Sequence, residues 1–433
     1  MDRRIGVILS YILMVFEVLS TLLLTPYIIR TLGQAEYGVY KLSAAVNAYL
    51  LLLDLGVGNA ITRYVAKFRA ENNLSQGRKF MGIATIFYII IAAIAIIVGI
   101  ILVLLFPSIF STGLTSNEVA LGQRLLAITM INSAVTLGTA AYTNAIIAYE
   151  HFVISKGSSI LQIICRMILT YIVLRIGMGS MGIVVVNLLM TVVCRGFFVV
   201  YTLFVIKLKP LFKGIEYSFI KEVIRYSSLI FLQMVATQIN GTVDQVLIGA
   251  LVTASSSILA VYGIGTQIVQ YFQSMGSAFN GVLMPGIVRL VELDSSPQKL
   301  TEEMIRIGRI IFMMLVIIWM GFLVNGQDFI ILWAGQDNQQ AYYVAIILMS
   351  AQLFILTEMV GSQILWALNQ HKEQAILKIL IVVLNVFLTI ILIKWNPLIG
   401  ATLGTFISLT LGDILIMNLL FWKKLHINLW RYY

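Results

Sequence analysis

Charged side chains are scarce in this sequence, and their scarcity excludes a soluble globular protein. Only 11% of the 433 residues are Asp, Glu, Lys or Arg, whereas 60% are hydrophobic and the mean hydropathy is +0.96. A soluble domain usually carries about 25% charged residues. Long apolar runs such as 81–106 and 374–393 have the length needed to cross a hydrocarbon core, where the backbone must be helical. The predicted fold class is all-α integral membrane.

Cysteines, histidines and catalytic motifs are also rare. Cys165 and Cys194 both lie in apolar segments, so they indicate no extracellular disulfide framework. The three histidines lack metal-ligand spacing, and no H-E-x-x-H, G-x-S-x-G or P-loop motif occurs. No loop between apolar runs is long enough to form a separate catalytic domain. We therefore predict a transporter rather than an enzyme, with no cofactor and no metal site.

The net charge of +10 has two interpretations, a nucleic-acid partner or basic cytoplasmic loops. If the N-terminus is inside, 22 of the 29 Lys and Arg residues fall in inside segments, as the positive-inside rule requires. This favours a multi-pass protein of a prokaryotic plasma (inner) membrane with both termini cytoplasmic and no nucleic-acid partner. The first apolar run contains Glu17 and is followed by no A-x-A site, so it is interpreted as a retained helix rather than a signal peptide.

Charged and Gly/Pro breaks divide the chain into twelve candidate membrane spans. Their approximate limits are 5–29, 38–62, 80–106, 122–148, 153–177, 181–206, 226–250, 256–288, 306–333, 341–369, 373–394 and 398–422. A basic segment, 207–225, separates two six-span halves, 1–206 and 226–433. The dipeptide Tyr37-Gly38 recurs as Tyr262-Gly263, and other short matches follow in the same order. An even-span repeat keeps its orientation, so we predict two parallel six-helix lobes, an arrangement typical of transporters.

Two arginines lie inside predicted spans of the first half, at a depth close to that of Glu17. An ionisable side chain at the bilayer centre costs roughly 2.5–3.5 kcal/mol, so each needs a partner or a wet cavity. Arg166 and Arg195 suit a phosphate or pyrophosphate, because guanidinium groups offer planar, forked donors. The alternative is that Glu17 and Asp54 pair with them as buried ion pairs.

The in-span charges of the second half are all acidic, namely Asp244, Glu358 and Asp413, because the basic residues near the span ends, Arg306, Arg309 and Lys378, are assigned to inside segments. Unpaired carboxylates in a membrane hold a proton or bind a cation. We hypothesise that the first half contacts an anionic head group and that these carboxylates, with Glu17 and Asp54 of the first half, couple transport to protons or sodium. The alternative is protonated carboxyls hydrogen-bonded to neighbouring side chains.

Uncharged polar residues recur at helical spacing and form stripes on three spans. The residues considered are Asn47 in the second span, Gln233 and Asn240 in the seventh, and Gln270, Gln273, Ser277 and Asn280 in the eighth. Such a stripe on an apolar helix favours a hydrated groove for sugar hydroxyls. Helix packing through small and polar residues is the competing interpretation.

Two segments resemble a known family. Leu23 to Ala70 contains a Pro, then Arg-x-Leu-Gly, Glu-Tyr-Gly and Asp-x-Gly, and then a basic end, while Val243 to Ile268 contains an Asp followed by Tyr-Gly. With its span number and two halves, the chain resembles the oligosaccharide flippases of the multidrug/oligosaccharidyl-lipid/polysaccharide exporter superfamily. The resemblance implies a V-shaped, MATE-like pair of lobes that alternates between inward-open and outward-open forms.

The implied cargo is a polyprenyl-pyrophosphate-linked oligosaccharide, moved to the outer leaflet during surface polysaccharide biosynthesis. Partners implied are membrane lipid and the glycosyltransferases and polymerase of the same pathway. Relatives that flip the peptidoglycan precursor have a cation site in the second lobe, and Asp244 and Asn385 are of the right kind for it. Alternatives are a multidrug/cation antiporter of the same fold, a membrane polymerase or ligase, which would need a large outer loop, and a scaffold relative without transport.

Overall fold

The computed structural model describes residues 2–212, 217–293, 296–368, 370 and 372–432. Within these ranges the side chains at 2–4, 7, 217–230, 232–233, 278–285, 288–290, 292–293 and 372 are not described. The described residues form helices and connecting turns and contain no β-strand. The prediction of an all-α fold is confirmed.

Sixteen α-helices follow one another along the described chain. They are α1 Asp2–Ala48, α2 Val57–Ala70, α3 Leu74–Phe110, α4 Ser116–Gly138, α5 Ala140–Ala148, α6 Phe152–Arg175, α7 Gly179–Val200, α8 Tyr217–Leu251, α9 Ser256–Leu293, α10 Pro297–Ala334, α11 Ala341–Thr357, α12 Met359–Ala367, α13 Lys372–Leu392, α14 Pro397–Leu409, α15 Met417–Leu425 and α16 Leu429–Tyr432. Short 3-10 segments cover Leu50–Asp54 and Gln336–Asn338, and π-helical segments cover Tyr201–Val205 and Thr410–Ile416.

Many of these helices have the length and composition of membrane spans. Among the described residues eight segments qualify, or nine if the bent pair α11 and α12 counts as one span. One of the eight, Ile8–Ala70, is 63 residues long and breaks at Gly33, whose φ is 74°, so it covers the first two predicted spans. Helices α8 and α9 run through the seventh and eighth. The helices therefore follow the predicted spans in order, and the number twelve stays a prediction.

The surface of the long helices is apolar where a soluble protein would be polar. On α10, Ile317, Val324 and Leu332 are 71%, 76% and 77% exposed. A helix surface with this many exposed leucine and isoleucine side chains is stable against lipid tails. In water, each exposed side chain would cost the free energy of hydrating its apolar surface. The chain is a multi-pass membrane protein.

Three of the predicted in-span carboxylates lie where a helix is interrupted. Asp54 ends the 3-10 segment between α1 and α2, and Glu358 lies at the 40° bend between α11 and α12. Asp413 lies in the π-helical segment that joins α14 to α15. Interrupted turns leave backbone groups to be satisfied by side chains, and π-helical turns occur frequently at functional sites.

The chain folds into two compact units, Met1–Gln238 and Ile239–Tyr433, whose boundary lies within α8. The predicted linker, 207–225, precedes that boundary; its residues 213–216 lie outside the described residues, and the part from Tyr217 onward is helical. The lobe limits 1–206 and 226–433 stay a prediction.

Candidate functional site

A buried cluster of oxygen atoms surrounds Asp244 in the second unit. The Asp244 carboxylate accepts a hydrogen bond from the Tyr262 hydroxyl at 2.5 Å and one from the Thr389 hydroxyl at 3.0 Å, and the Thr405 hydroxyl contacts it as well. The four residues come from α8, α9, α13 and α14, and each is at most 6% exposed. The fold therefore gathers polar groups from four helices around one carboxylate.

Asn385, one turn before Thr389 on α13, completes the cluster. Its amide nitrogen donates to the Asn240 side-chain oxygen at 3.1 Å, which directs the Asn385 carbonyl oxygen to the opposite side. That oxygen lies 3.0 Å from the Thr389 hydroxyl and 3.2 Å from the Thr405 hydroxyl. The predicted pair of Asp244 and Asn385 is thus brought into one site, joined through two threonines.

The cluster contains more acceptor contacts than protons. Five oxygen–oxygen contacts, three to the carboxylate and two to the Asn385 carbonyl, share the single protons of three hydroxyl groups. At least two contacts therefore have no hydrogen atom between the oxygens. Buried oxygens this close repel each other unless positive charge lies among them. A proton on Asp244 supplies such charge, and so does a small hard cation, which prefers carboxylate, amide and hydroxyl oxygen ligands.

The two predicted head-group arginines both lie in the first unit. Arg166 is 14 residues into α6, about 21 Å along the helix at about 1.5 Å per residue. Arg195, on α7, is ten residues from the end of the following π-helical segment at Val205, which is about 15 Å. The Arg195 guanidinium donates to the Thr143 hydroxyl of α5 at 2.6 Å, and Arg166 lies within electrostatic range of the Tyr40 phenol on α1.

Neither arginine forms an ion pair with a described residue. Asp54, predicted as a candidate partner, accepts instead from the Tyr88 hydroxyl of α3 at 2.6 Å. Glu17 is exposed on α1 and forms no salt bridge with either guanidinium. The alternative in which Glu17 and Asp54 neutralise Arg166 and Arg195 is therefore wrong in this conformation.

The prediction that the second-half carboxylates have no basic partner is wrong for Asp413. The Lys378 ammonium lies 2.5 Å from the Asp413 carboxylate, and both side chains are largely buried. The sequence assigns Lys378 to an inside segment, but α13 begins at Lys372 and carries Lys378 almost two turns into the helix. The Lys378 ammonium already places a positive charge opposite this carboxylate, so Asp413 is a weaker candidate for binding a transported ion than Asp244.

Glu358 packs beside the C-terminal segment. It is 3% exposed at the bend between α11 and α12, and the Tyr432 hydroxyl of α16 donates to the neighbouring Thr357 carbonyl at 3.4 Å. Burial, and then the charge of Glu358, raise the pKa of Tyr432 above its usual range. Glu358 thus lies beside the contacts that hold the chain end to α10 and α11.

The predicted sugar-groove residues divide into two groups. Asn47 accepts from the Ser133 hydroxyl of α4 at 3.1 Å, and Asn240 is bonded to Asn385, so these two serve contacts between helices. On α9, by contrast, Gln270 and Ser277 are exposed and Gln273 is half-buried, so that polar face is not covered by its own unit. The side chains of Gln233 and Asn280 lie outside the described residues.

With the geometry of both units established, comparison with known proteins identifies the family. Residues 6–291 match the family described as "Polysaccharide biosynthesis protein", which is more than half of the 433 residues. The chain belongs to the polysaccharide biosynthesis protein family. No curated protein sequence matches the chain.

Several solved structures share the fold of this chain. A multidrug resistance MATE family transporter of the MOP superfamily, in its inward-facing conformation, superposes with a TM-score of 0.70 at 15% identity, covering 94% of this chain and 96% of the other. The lipid II flippase MurJ, inward closed, gives 0.70 at 15% identity over 96% and 87%. A MOP superfamily transporter from Pyrococcus furiosus gives 0.61 at 16% identity over 97% and 96%. Identities this low show the fold alone, so these structures confirm the predicted MATE-like fold, and the family match confirms the predicted link to polysaccharide biosynthesis.

Sequence reasoning missed several members of the Asp244 cluster. Thr389 and Thr405 are unremarkable threonines in apolar helices, and Tyr262 stood out only through the Tyr-Gly repeat. One signal was available, because Thr389 follows Asn385 by four residues and therefore lies on the same face of α13. No comparable spacing exists for Thr405, which reaches the site from another helix.

Proposed function

We propose that this protein flips a polyprenyl-pyrophosphate-linked oligosaccharide from the cytoplasmic to the outer leaflet by alternating access. The observation that carries the proposal is the pair of in-membrane guanidinium groups, Arg166 and Arg195, which no described carboxylate neutralises. A transported pyrophosphate neutralises them while bound, since each guanidinium offers forked donors to phosphate oxygens. Family membership in polysaccharide biosynthesis supports the same cargo.

Ion coupling is the second part of the proposal. The Asp244 cluster holds one proton or one sodium ion, and its occupancy biases the protein toward one of the two access states. A ligand shifts such an equilibrium only through its different affinity for the two states. Because the cluster joins α8, α9, α13 and α14, relative movement of these helices changes the number of oxygens around the ion. That change couples ion binding to helix movement.

The exposed polar face of α9 supports an oligosaccharide as the moiety attached to the pyrophosphate. Gln270 and Ser277 lie on this face and are not covered by other residues of their own unit. Amide and hydroxyl side chains can replace their hydrogen bonds to water by hydrogen bonds to sugar hydroxyls. The net change in free energy is small, because both partners are hydrogen-bonded to water before they meet. We propose this face as a sugar-contacting surface.

A deletion strain tests the proposed cargo. Loss of the protein should cause undecaprenyl- or other polyprenyl-pyrophosphate-linked repeat units to accumulate on the cytoplasmic leaflet, with loss of the surface glycan. Complementation by the wild-type chain should restore the glycan, whereas Arg166→Gln and Arg195→Gln should not. Arg175→Gln is the matched control, since this arginine ends the same helix as Arg166 and bonds only to Tyr171 among the described contacts.

Surface glycan at wild-type level with both arginines replaced would reject their head-group role. A strain that accumulates no lipid-linked sugar, but gains sensitivity to cationic drugs, would instead assign the antiporter function. Protein abundance in the membrane must be equal for all variants, because substitution of these half-buried arginines also affects folding.

A further inference from the structure

A cavity of about 210 Å³ opens on the first unit at the side predicted to be cytoplasmic. It lies between the end of α2, the start of α3, the turn joining α5 to α6, and Leu208, which follows the π-helical segment after α7. One water molecule needs roughly 10–15 Å³ of such space, so the cavity has room for a polyatomic ligand. It plays no part in the transport mechanism proposed above.

The cavity has an apolar floor and a polar rim. Phe68, Gly77 and Leu208 form the floor and are buried, whereas Arg69 and Asn72 on the rim are exposed. A Cβ atom at Gly77 would be in van der Waals contact with the Leu208 side chain, at 3.5 Å, so a larger side chain at this position would occupy the floor. A ligand that fits has one hydrogen-bond-accepting, charged end and one apolar end.

The charge of the rim is positive and is not cancelled locally. The Arg69 guanidinium lies over the Tyr149 ring, 5.2 Å from its centroid, and makes a single hydrogen bond of 3.4 Å to the Ala148 carbonyl. These two contacts hold the guanidinium at the rim and leave most of its five donors available. Arg69 forms no ion pair with a described residue, and the adjacent Glu71 contacts Lys67 instead, at 4.0 Å.

A second guanidinium approaches the same wall. Arg78 donates twice to the Lys207 carbonyl, at 3.1 and 3.3 Å, and both Arg69 and Arg78 lie within electrostatic range of the Tyr149 phenol. Burial nevertheless raises the pKa of Tyr149, so its phenol stays neutral and adds no negative charge to the wall. Two fixed cations beside an apolar floor match a phosphate ester attached to a short carbon chain.

We propose that this cavity binds the phosphate and glycerol of an anionic phospholipid from the inner leaflet. The distribution of Lys and Arg along the chain predicts that the cavity lies on the cytoplasmic side, near the level of the lipid phosphates. Basic side chains at that level attract anionic lipid. A soluble phosphate ester offers the same phosphate group to the two guanidinium groups. Comparing the binding of a phospholipid with that of a water-soluble glycerol phosphate distinguishes the two kinds of ligand.

The test titrates the purified full-length protein with dioleoylphosphatidylglycerol and counts bound lipids by native mass spectrometry. Dioleoylphosphatidylcholine, sn-glycerol 3-phosphate and inorganic phosphate form the comparison arms. Arg69→Gln should weaken the tightest phosphatidylglycerol binding about tenfold, which is the loss of one charge-assisted hydrogen bond. Lys67→Gln removes the same charge from the same helix end, outside the cavity lining, and should leave that binding unchanged.

A cavity-filling variant separates pocket binding from surface attraction. Gly77→Leu keeps both arginines and should abolish the tightest site if the glycerol occupies the floor. Equal losses for Arg69→Gln and Lys67→Gln, or tight binding retained in both Arg69→Gln and Gly77→Leu, would overturn the proposal. Tight binding of glycerol 3-phosphate, lost in Arg69→Gln but not in Lys67→Gln, would support the phosphate site and replace the lipid by a soluble ester. Transport is not read out, so these outcomes are independent of the proposed cargo.

Discussion

The Thr389 hydroxyl lies 3.0 Å from the Asp244 carboxylate, although 145 residues separate the two in sequence. The same hydroxyl lies 3.0 Å from the Asn385 carbonyl oxygen and has one proton to offer to both. The carboxylate is therefore surrounded by oxygens that cannot all be satisfied by hydrogen bonds. This shortage of protons makes Asp244, rather than the other buried carboxylates, the ion-coupling candidate.

Asp244→Asn should abolish the dependence of transport on an ion gradient, because the amide is neutral and retains only one acceptor oxygen. The measurement is flipping of labelled lipid-linked sugar in proteoliposomes with imposed proton or sodium gradients. Unchanged gradient dependence in this variant would remove Asp244 from the coupling mechanism.

Thr405→Val should distinguish the two ions. A proton on Asp244 needs one neighbouring acceptor, whereas sodium needs several oxygen ligands, so the variant should raise the half-maximal sodium concentration about tenfold and change proton dependence little. Thr402→Val is the control, since this buried threonine on the same helix bonds only its own backbone, at Leu398. Equal effects of the two substitutions would contradict a specific role for Thr405.

Lys378 and Asp413 should prove strongly coupled in stability. Removing one partner of a buried ion pair costs about 3–5 kcal/mol because the other charge remains buried and unpaired. We expect Lys378→Met and Asp413→Leu each to lower the unfolding midpoint in detergent, and the double variant to recover much of the loss. Arg306→Met, in the exposed pair with Glu303, should cost no more than about 1 kcal/mol. A double variant as unstable as the sum of the single variants would show that the pair is not coupled.

Gly404→Ala should disturb the Asp244 cluster without altering any of its polar groups. A Cβ atom at Gly404 would collide with the Thr389 hydroxyl and lie 2.9 Å from the Thr389 backbone, forcing α13 and α14 apart. Overpacking of this kind costs about 1–3 kcal/mol. Gly321→Ala is the control, since nothing lies within 4 Å of its added methyl group. The thermal midpoint and the ion dependence of transport should both change in Gly404→Ala alone.

Glu36 should stabilise the start of α7. Its carboxylate accepts from the Ser180 backbone N–H at 2.7 Å and from the Ser180 hydroxyl at 2.6 Å, which ties the break in α1 to that helix. Glu36→Ala removes a helix cap worth about 1–2 kcal/mol, and Ser180→Ala should lose only part of this, because the backbone N–H contact remains. Unfolding in detergent measures both, and equal stability of Glu36→Ala and wild type would show that the cap contributes nothing.

Hydrophobic run length was sufficient to predict the helical membrane fold and the order of the spans, because lipid leaves the backbone no alternative to internal hydrogen bonding. It failed at the start of α13, where the sequence assigns Lys378 to a segment outside the membrane core. A long, flexible lysine stem tolerates a position well inside a helix when a carboxylate lies opposite, and that carboxylate, Asp413, is 35 residues away.

The sequence by itself determined that this chain crosses a membrane and which side chains are costly to place there, and the family resemblance predicted Asp244 and Asn385 as candidates for an ion site. Only the tertiary structure decided which of those costly groups neutralise each other. It paired Asp413 with Lys378, gave Asp54 to Tyr88, and left Arg166 and Arg195 without a carboxylate among the described residues. The physical reason is that electrostatic and hydrogen-bond energies depend on distances of a few ångströms between helices, and helical periodicity specifies only the face of a single helix.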